Sequence, residues 1–428
     1  MRMQTSVQRS GVRPRICASQ IPRWVFLFRF LLLCILAVAP TCAQSQSDPV
    51  TAKPYAILDR QSVAYRGPIR SVESDLTAAT AVIGMILPLK GSQQPEGKAL
   101  LVAAQLAIEE ERAAGPLPGG PELQLAVRDE SGPWGQASAE ILRLFEDDHA
   151  IAVITSANGT SAHLAEQIAN KISIPILTLA SDPTTTQANV PWLFRLGSSD
   201  SDQARAFCRR IYADLGLKNV LLVAETDHDG RIGSEEFERA TKEFHVQPPL
   251  RFEWTDSVAS SEPLQETLRT NKPEAIVVWT DAPAADKLLG IVRATQPTAS
   301  IFLCSKAAQL DNEGRVSPPT YQAESLKGPF TVDSLGREHS IAREKFGQLF
   351  LAKTGTRPGL AAFETYEAVH MLSVGIRHTG ANRVLLRDYL ANEGKPAGAE
   401  DNTPFDPAGN NLQTFVLVRL QSENPAKP

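Results

Sequence analysis

Apolar positions recur along the chain in short continuous runs, separated by longer stretches with helical periodicity. The β-runs cover residues 82–87, 123–128, 151–155, 176–179, 220–224, 275–279 and 300–303. Runs of four to six apolar residues with turn signals on both sides read as strands buried on both faces. Between them, amphipathic stretches predict helices over 98–114, 136–145, 161–171, 202–215, 234–244, 263–270, 284–294, 339–353 and 365–378. In the first of these, Leu101, Gln105 and Ile108 share a stripe, and Gly115 stands where a helix-ending glycine would. Strand and helix alternate, so the fold class is α/β with parallel sheets built from βαβ units. The end of the chain differs. Phe405 to Asn410 reads FDPAGN, a turn sequence, and a strand over 414–420 follows it. That order suggests that the chain returns to complete an earlier sheet.

The first 43 residues change the picture. They hold six arginines and no acid, then an apolar run over 30–39, then Thr41 and Ala43 at −3 and −1 of a cut before Gln44. That is the layout of a signal peptide. The run is short for an uncleaved anchor, which needs about 20 apolar residues. Cys42 opens a lipoprotein reading, although Ala39, Pro40 and Thr41 suit a lipobox poorly. Residues 44–80 read as a polar linker or N-terminal extension. Within it the fragment 55–59 is a candidate extra strand.

The chain carries a formal charge of −5, and the body is more acidic still without the leader's arginines. Such a balance argues against nucleic acid or anionic lipid as a partner. Only Cys208 and Cys304 lie beyond the leader, and sequence leaves their pairing open. CxxC and HExxH motifs are absent, so no zinc site is expected. Glu225, Asp227 and Asp229 supply only part of an EF-hand loop, with no glutamate at the closing position, so no metal or cofactor is expected there either. His149, His163, His228 and His245 lie in polar stretches without a motif. No GxSxG elbow, Walker loop or dinucleotide fingerprint is present, so no enzyme is expected.

Several pieces together resemble the type I periplasmic solute-binding proteins, in the branch that serves branched-chain amino acid and amide ABC transporters. They are PLKG at Pro88–Gly91, Gly97, EEERAAG, Asp129, NGTSAHLAEQIA from Asn158, IPILTLASDPTTT from Ile174, FRLGSSDSDQA from Phe194, and FDPAGN. The resemblance implies two doubly wound parallel-sheet lobes joined by a three-crossing hinge. The crossings fall near 196–200, near 326–330 and between 387 and 405. Lobe I then holds 81–198 and 329–390; lobe II holds 199–328 and 391–420; residues 421–428 form a tail. It further implies a monomeric periplasmic receptor that captures a small polar solute (amino acid, amide or carboxylic acid) and presents it to a membrane permease. The alternative is a scaffold of the same fold that regulates an envelope protein.

The candidate ligand residues follow from strand ends and from this resemblance. Ser92 follows the PLKG loop. Asn158, Gly159, Thr160 and Ser161 open a helix, whose N–H groups and dipole suit an anion; an ordinary N-cap is the plainer reading. Ala180, Ser181 and Asp182 follow the next strand; Asp182 sits uneasily beside a bound carboxylate and could instead take an ammonium or cap a turn. Asp229 lies in a stretch resembling the relatives' acidic turn, but Ile232 stands where they carry a ligand-facing tyrosine. Asp281 ends a strand, and Trp279 before it is a stacking candidate or a core residue. Lys306 falls about where amino-acid binders carry the glutamate for the ligand's ammonium. A lysine there favours an anionic ligand, or is a surface lysine at a strand end.

Overall fold

A computed structural model describes residues 80–117, 121–255, 260–308, 330–334, 341–393, 405–412 and 415–419. The leader, its cut site, residues 55–59 and the C-terminal tail lie outside the described residues.

The first sheet contains β1 (Thr80–Leu87), β2 (Glu122–Asp129), β3 (Ala150–Thr155), β4 (Ile176–Thr178) and β5 (Leu193–Arg195), all parallel, in the order β2-β1-β3-β4-β5. The second contains β6 (Val220–Glu225), β7 (Leu250–Trp254), β8 (Ala275–Trp279), β9 (Ser300–Leu303), β10 (Phe330–Ser334) and β11 (Phe415–Arg419), in the order β11-β10-β9-β8-β6-β7. Only β11 is antiparallel. Each sheet reverses its strand order once, beside β1 and β3 in the first and beside β6 and β8 in the second. Loops leaving the C-terminal ends of those strands therefore diverge and leave a crevice.

Helices cover both faces of the first sheet. On one face lie α1 (Gln94–Ala113), α10 (Leu360–Thr379) and α11 (Arg383–Asn392), with Ile83, Met85, Leu100, Ala104 and Leu372 in a common core. The helix α9 (Ile341–Thr354) packs beside α1 and α10. On the other face α2 (Gln136–Glu146) and α3 (Gly159–Ile172) press Ile141, Leu144, Leu164 and Ile168 onto Val82 and Ile86. β1 is buried on both faces, which is why it reads as an unbroken apolar run. A single turn, α4 (Thr184–Gln187), links β4 to β5.

The second lobe is built alike from α5 (Asp200–Cys208, continued by a π-helical turn over Arg209–Asp214), α6 (His228–Glu243), α7 (Ser261–Asn271) and α8 (Ala282–Thr295). Its core joins Phe207, Phe237, Trp279, Phe302 and Leu288. Trp279 is thus a core residue, its Nε1–H donating to Asp200 Oδ1 at 3.1 Å, and not a stacking surface. Cys208 and Cys304 are both buried and unpaired with each other. Among the described residues no helix is long and apolar enough to cross a membrane.

The structure revises the expected boundaries. β10 hydrogen-bonds to β9 and β11, so residues 330–334 belong to the second sheet, although the expected lobe I resumed at 329. The FDPAGN turn, expected in lobe II, is fastened to the first sheet: Arg195 N–H donates to Gly409 O at 2.8 Å, and Phe405 packs in the first core. Gly409 is required there, having φ +89°, with the position of a Cβ only 2.1 Å from Leu193 O. Residues 383–392, where the third crossing was expected to begin, form α11 instead. Asn382 caps that helix by accepting from the Val384 and Leu385 amides. The stretch 224–233 was read as a turn, but it is helical from His228, because Asp227 accepts from Gly230 N–H as its N-cap.

Candidate functional site

The two lobes meet where α3 faces α6. Asn158 caps α3, its side chain accepting from Ser161 N–H at 2.9 Å, as the plainer reading held. The next amide, Gly159 N–H, reaches across the crevice and donates to Asp229 Oδ1 at 3.0 Å. A Cβ on Gly159 would stand 2.4 Å from that oxygen, so only glycine allows the approach. The second oxygen of Asp229 pairs with Lys306 Nζ at 2.5 Å. The anion expected at this helix N-terminus is therefore present, but it is the protein's own carboxylate. Lys306 is buried, not a surface lysine, and its charge is already matched. Burial opposes its ammonium, yet Asp229 and Asp227 outweigh burial and raise it above the ordinary lysine range. A free lysine that recruits an anionic ligand is thus not what the fold presents.

Beside this pair, Asp182 is 1% exposed and gathers two histidines. His163 Nε2, from α3, lies 3.1 Å from Asp182 Oδ2, and His228 Nε2, from α6, lies 2.7 Å from the same oxygen. Thr184 holds the other oxygen through N–H and Oγ1–H at 2.8 and 2.7 Å. Burial alone would raise Asp182; the bonds from His163, His228 and Thr184 reverse that and hold it well below the usual range. His163 is pushed up to about 9 by Asp182 and by Glu166, which lies 3.3 Å from its Nδ1. Asp182 therefore caps the turn at Thr184, as the plainer alternative had it, and its other oxygen is taken by two of the protein's own histidines.

Half-buried acids crowd the rest of the crevice. Glu96 on α1, Glu130 after β2 and Glu225 at the end of β6 are each raised to about 7, chiefly by burial. Lys306 lowers all three, while Asp281 and Asp229 raise Glu96, and Asp281 raises Glu225. Asp281 caps α8 by accepting from Ala284 N–H, and its own amide donates to Glu225 Oε2 at 2.7 Å. Ser161 is buried near Glu130, which accepts from Ser156 Oγ at 2.5 Å. Ser181 bonds Asp200, and its carbonyl accepts from Asp200 N–H. Ala180 is buried, its amide bonded to Thr178 Oγ1, and Thr160 is half-buried.

Ser92 is exposed and lines a cavity of about 310 Å³ between the lobes, with Glu96 and Arg357 on one side and Pro283 and Asp286 on the other. Of the expected residues, Ser92 alone lines this cavity; Gly159, Asp182, Asp229 and Lys306 lie instead along the contact between the lobes. Glu96, Glu130, Glu225, His163 and His228 were not expected there. Glu130 and Glu225 do follow or end a predicted strand, a signal that could have found them. The histidines carry no such signal, because their partner Asp182 is distant in sequence.

Glu130 gives a pH test. The unfolded glutamate releases its proton near pH 4.5, whereas the folded one holds it to about 7. Stability therefore falls as pH rises through that window, and the cost is complete above it. Glu130→Gln should stabilise the protein by on the order of 2 kcal/mol at pH 8 and change little at pH 4. Urea unfolding at both pH values checks this; an equal effect at both would refute it.

Residues 80–392 match the family model for the periplasmic binding proteins, and the chain belongs to that family. Among solved structures it is similar to a leucine binding protein from Thermotoga maritima (19% identity, TM-score 0.67, covering 80% of this chain and 96% of that one). It is also similar to an ABC transporter solute binding protein from R. palustris in complex with benzoate (18% identity, TM-score 0.68, covering 80% and 93%). Among curated proteins it is 28% identical over 154 residues to an amino acid binding protein of Pseudomonas aeruginosa, 36% of this chain and 41% of that one. It is 35% identical over 85 residues to glutamate receptor 2.9 of Arabidopsis thaliana, 20% of this chain and 9% of that one. The chain thus spans less than half the length of either curated relative.

Proposed function

We propose that the protein is an extracytoplasmic solute receptor of an ABC importer. It captures a small solute bearing a protonated amine between its lobes and presents the closed form to a membrane permease. Family membership and the interlobe cavity support the receptor reading, and a volume of about 310 Å³ suits a small molecule. One observation carries the amine. Glu96, Glu130 and Glu225 crowd around a single lysine whose charge Asp229 already takes. A cationic group adds opposite charge to those half-buried carboxylates, which hold neutral donors such as Ser156 and the Asp281 amide, whereas an added anion meets like charge. An amino acid would place its ammonium among the acids, and its carboxylate would compete with Asp229 for Gly159 N–H. The chain works as a monomer, and binding rather than catalysis is its activity.

The test is a thermal-shift panel on the purified protein, with amines, amino acids, amides and carboxylic acids. Amine-bearing solutes should raise Tm with concentration; a ligand at 100 times its Kd adds about 2.7 kcal/mol. Shifts from carboxylic acids that lack an amine, with none from amines, would overturn the charge argument. The second reading, a scaffold that regulates an envelope protein, has its own support: Asp229 fills the anion position at the start of α3. A panel without any shift would favour it.

A further inference from the structure

The Asp182 cluster has a geometry that charge pairing alone does not demand. Two imidazole nitrogens and one carboxylate oxygen converge, all within 4.8 Å of one another. His163 and Asp182 come from the first lobe and His228 from the second. We propose that His163 Nε2, Asp182 Oδ2 and His228 Nε2 form a binding site for a divalent transition metal of the zinc class, and that the ion ties the lobes together.

The donor set selects the metal. Two imidazoles and one carboxylate suit zinc, cobalt, nickel or copper, while calcium and magnesium prefer all-oxygen shells. Ligands around a tetrahedral zinc, at about 2.0–2.1 Å from the ion, stand roughly 3.3 Å apart. The observed 3.1 Å separation is close to that, the 2.7 Å one is about 0.6 Å short of it, and the two imidazole nitrogens lie within 4.8 Å of each other. The ion needs His228 Nε2 and Asp182 Oδ2 to move apart by roughly half an ångström, a side-chain adjustment of a partly exposed ring.

The surroundings orient the ligands as a metal site requires. Glu166 Oε2 faces His163 Nδ1 at 3.3 Å, so that nitrogen keeps its proton, and Nε2, which contacts Asp182 Oδ2 and Thr184 Oγ1 (2.8 Å), is the one the ion takes over. A carboxylate behind a ligating histidine fixes ring orientation and raises ligand basicity. Thr184 occupies Asp182 Oδ1 twice and leaves Oδ2 to the histidines. The rings of His163 and His228 meet edge to face, with centroids 5.6 Å apart. Both side chains are nearly 30% exposed, which gives the ion a path in and a water molecule access to the fourth position. On binding, a proton leaves any Nε2 that carries one, and the metal–nitrogen bond takes its place. Opening of the lobes would then require the ion to lose either His228 or the other two ligands.

The experiment titrates the full chain, stripped with EDTA, with Zn²⁺ alone, by calorimetry and by thermal unfolding. One ion per chain with a Kd of 10 µM or tighter, and a rise in Tm, is the expected result. Mg²⁺ and Ca²⁺ should do neither. His228→Ala and His163→Ala should each weaken Zn²⁺ binding at least 30-fold. Co²⁺ in the unaltered protein provides a readout independent of any variant, with an intense visible absorption expected of a tetrahedral site. No Zn²⁺ binding, or binding that both variants retain, would overturn the proposal. So would a weak octahedral Co²⁺ spectrum.

Discussion

Replacing Lys306 by Met should destabilise the protein by about 3–5 kcal/mol at pH 8, the range found when one partner of a buried ion pair is removed. Lys306 is the buried cation facing Asp229, and it also lowers Glu96, Glu130 and Glu225. Without it those four half-buried carboxylates repel one another. The loss should shrink toward pH 5. The three glutamates titrate near 7, so below that they are protonated in the folded state and the repulsion fades. Asp229→Asn in the Lys306→Met background should recover part of the loss, because the two residues are directly coupled. Urea unfolding of the single and double variants measures both effects. A loss below 1 kcal/mol at pH 8, or one independent of pH, would mean that Lys306 does not organise the crevice.

Arg195→Met should cost a similar amount, about 3–5 kcal/mol, by a different route. The guanidinium is 2% exposed and holds three separate segments. It donates to Ser181 O at 3.2 Å and Asp182 O at 2.6 Å, to Thr186 Oγ1 at 2.5 Å, and to Asn410 Oδ1. A methionine fills much of the volume but removes four charge-assisted hydrogen bonds, worth about 1.5–3 kcal/mol each before relaxation. The acceptors keep only their weaker neutral partners: Asp200 N–H on Ser181 O, Thr185 Oγ1–H on Asp182 O, and the Thr186–Asn410 bond. Because Asp182 belongs to one of the tethered segments, its bonds to the histidines should loosen too. The unfolding midpoint reads the first effect. The second appears as faster hydrogen exchange at the Thr184 amide, which donates to Asp182. A variant of unchanged stability would show that the FDPAGN turn holds its place through backbone bonds alone.

The strands that were legible in the sequence are those buried on both faces, such as β1 and β8, where every position but the opening Thr80 is apolar. Those that escaped notice are irregular for identifiable reasons. β5 has only three residues; β7 lies at a sheet edge with most of LRFEW exposed, so neither run nor alternation shows. β10 carries Thr and Asp within its five residues. Starts of the helices read from sequence were legible to within a turn or so except at α6, where the polar stretch DHDGRIG hides an N-cap followed by helix; α11 and the single turn α4 were not read as helices.

The candidate site divides in the same way. Loops that follow strands and open helices (158–161, 180–182 and the position of Asp281) can be found locally, because strand ends and caps are local events. What those loops touch is another matter. The alternation of strand and helix determined the α/β class with parallel sheets and most of the loops that face the crevice; the division into two lobes came from the family resemblance. Only the tertiary structure decided that Asp229 occupies the start of α3, that Lys306 is neutralised within the protein, and that Asp182 draws in His163 and His228. Periodicity records how each segment buries its own apolar face; it carries no information on which charged side chains meet when the lobes come together. Those pairings depend on approach across tens of residues and between two cores, and burial, by removing water, then sets their protonation and strength.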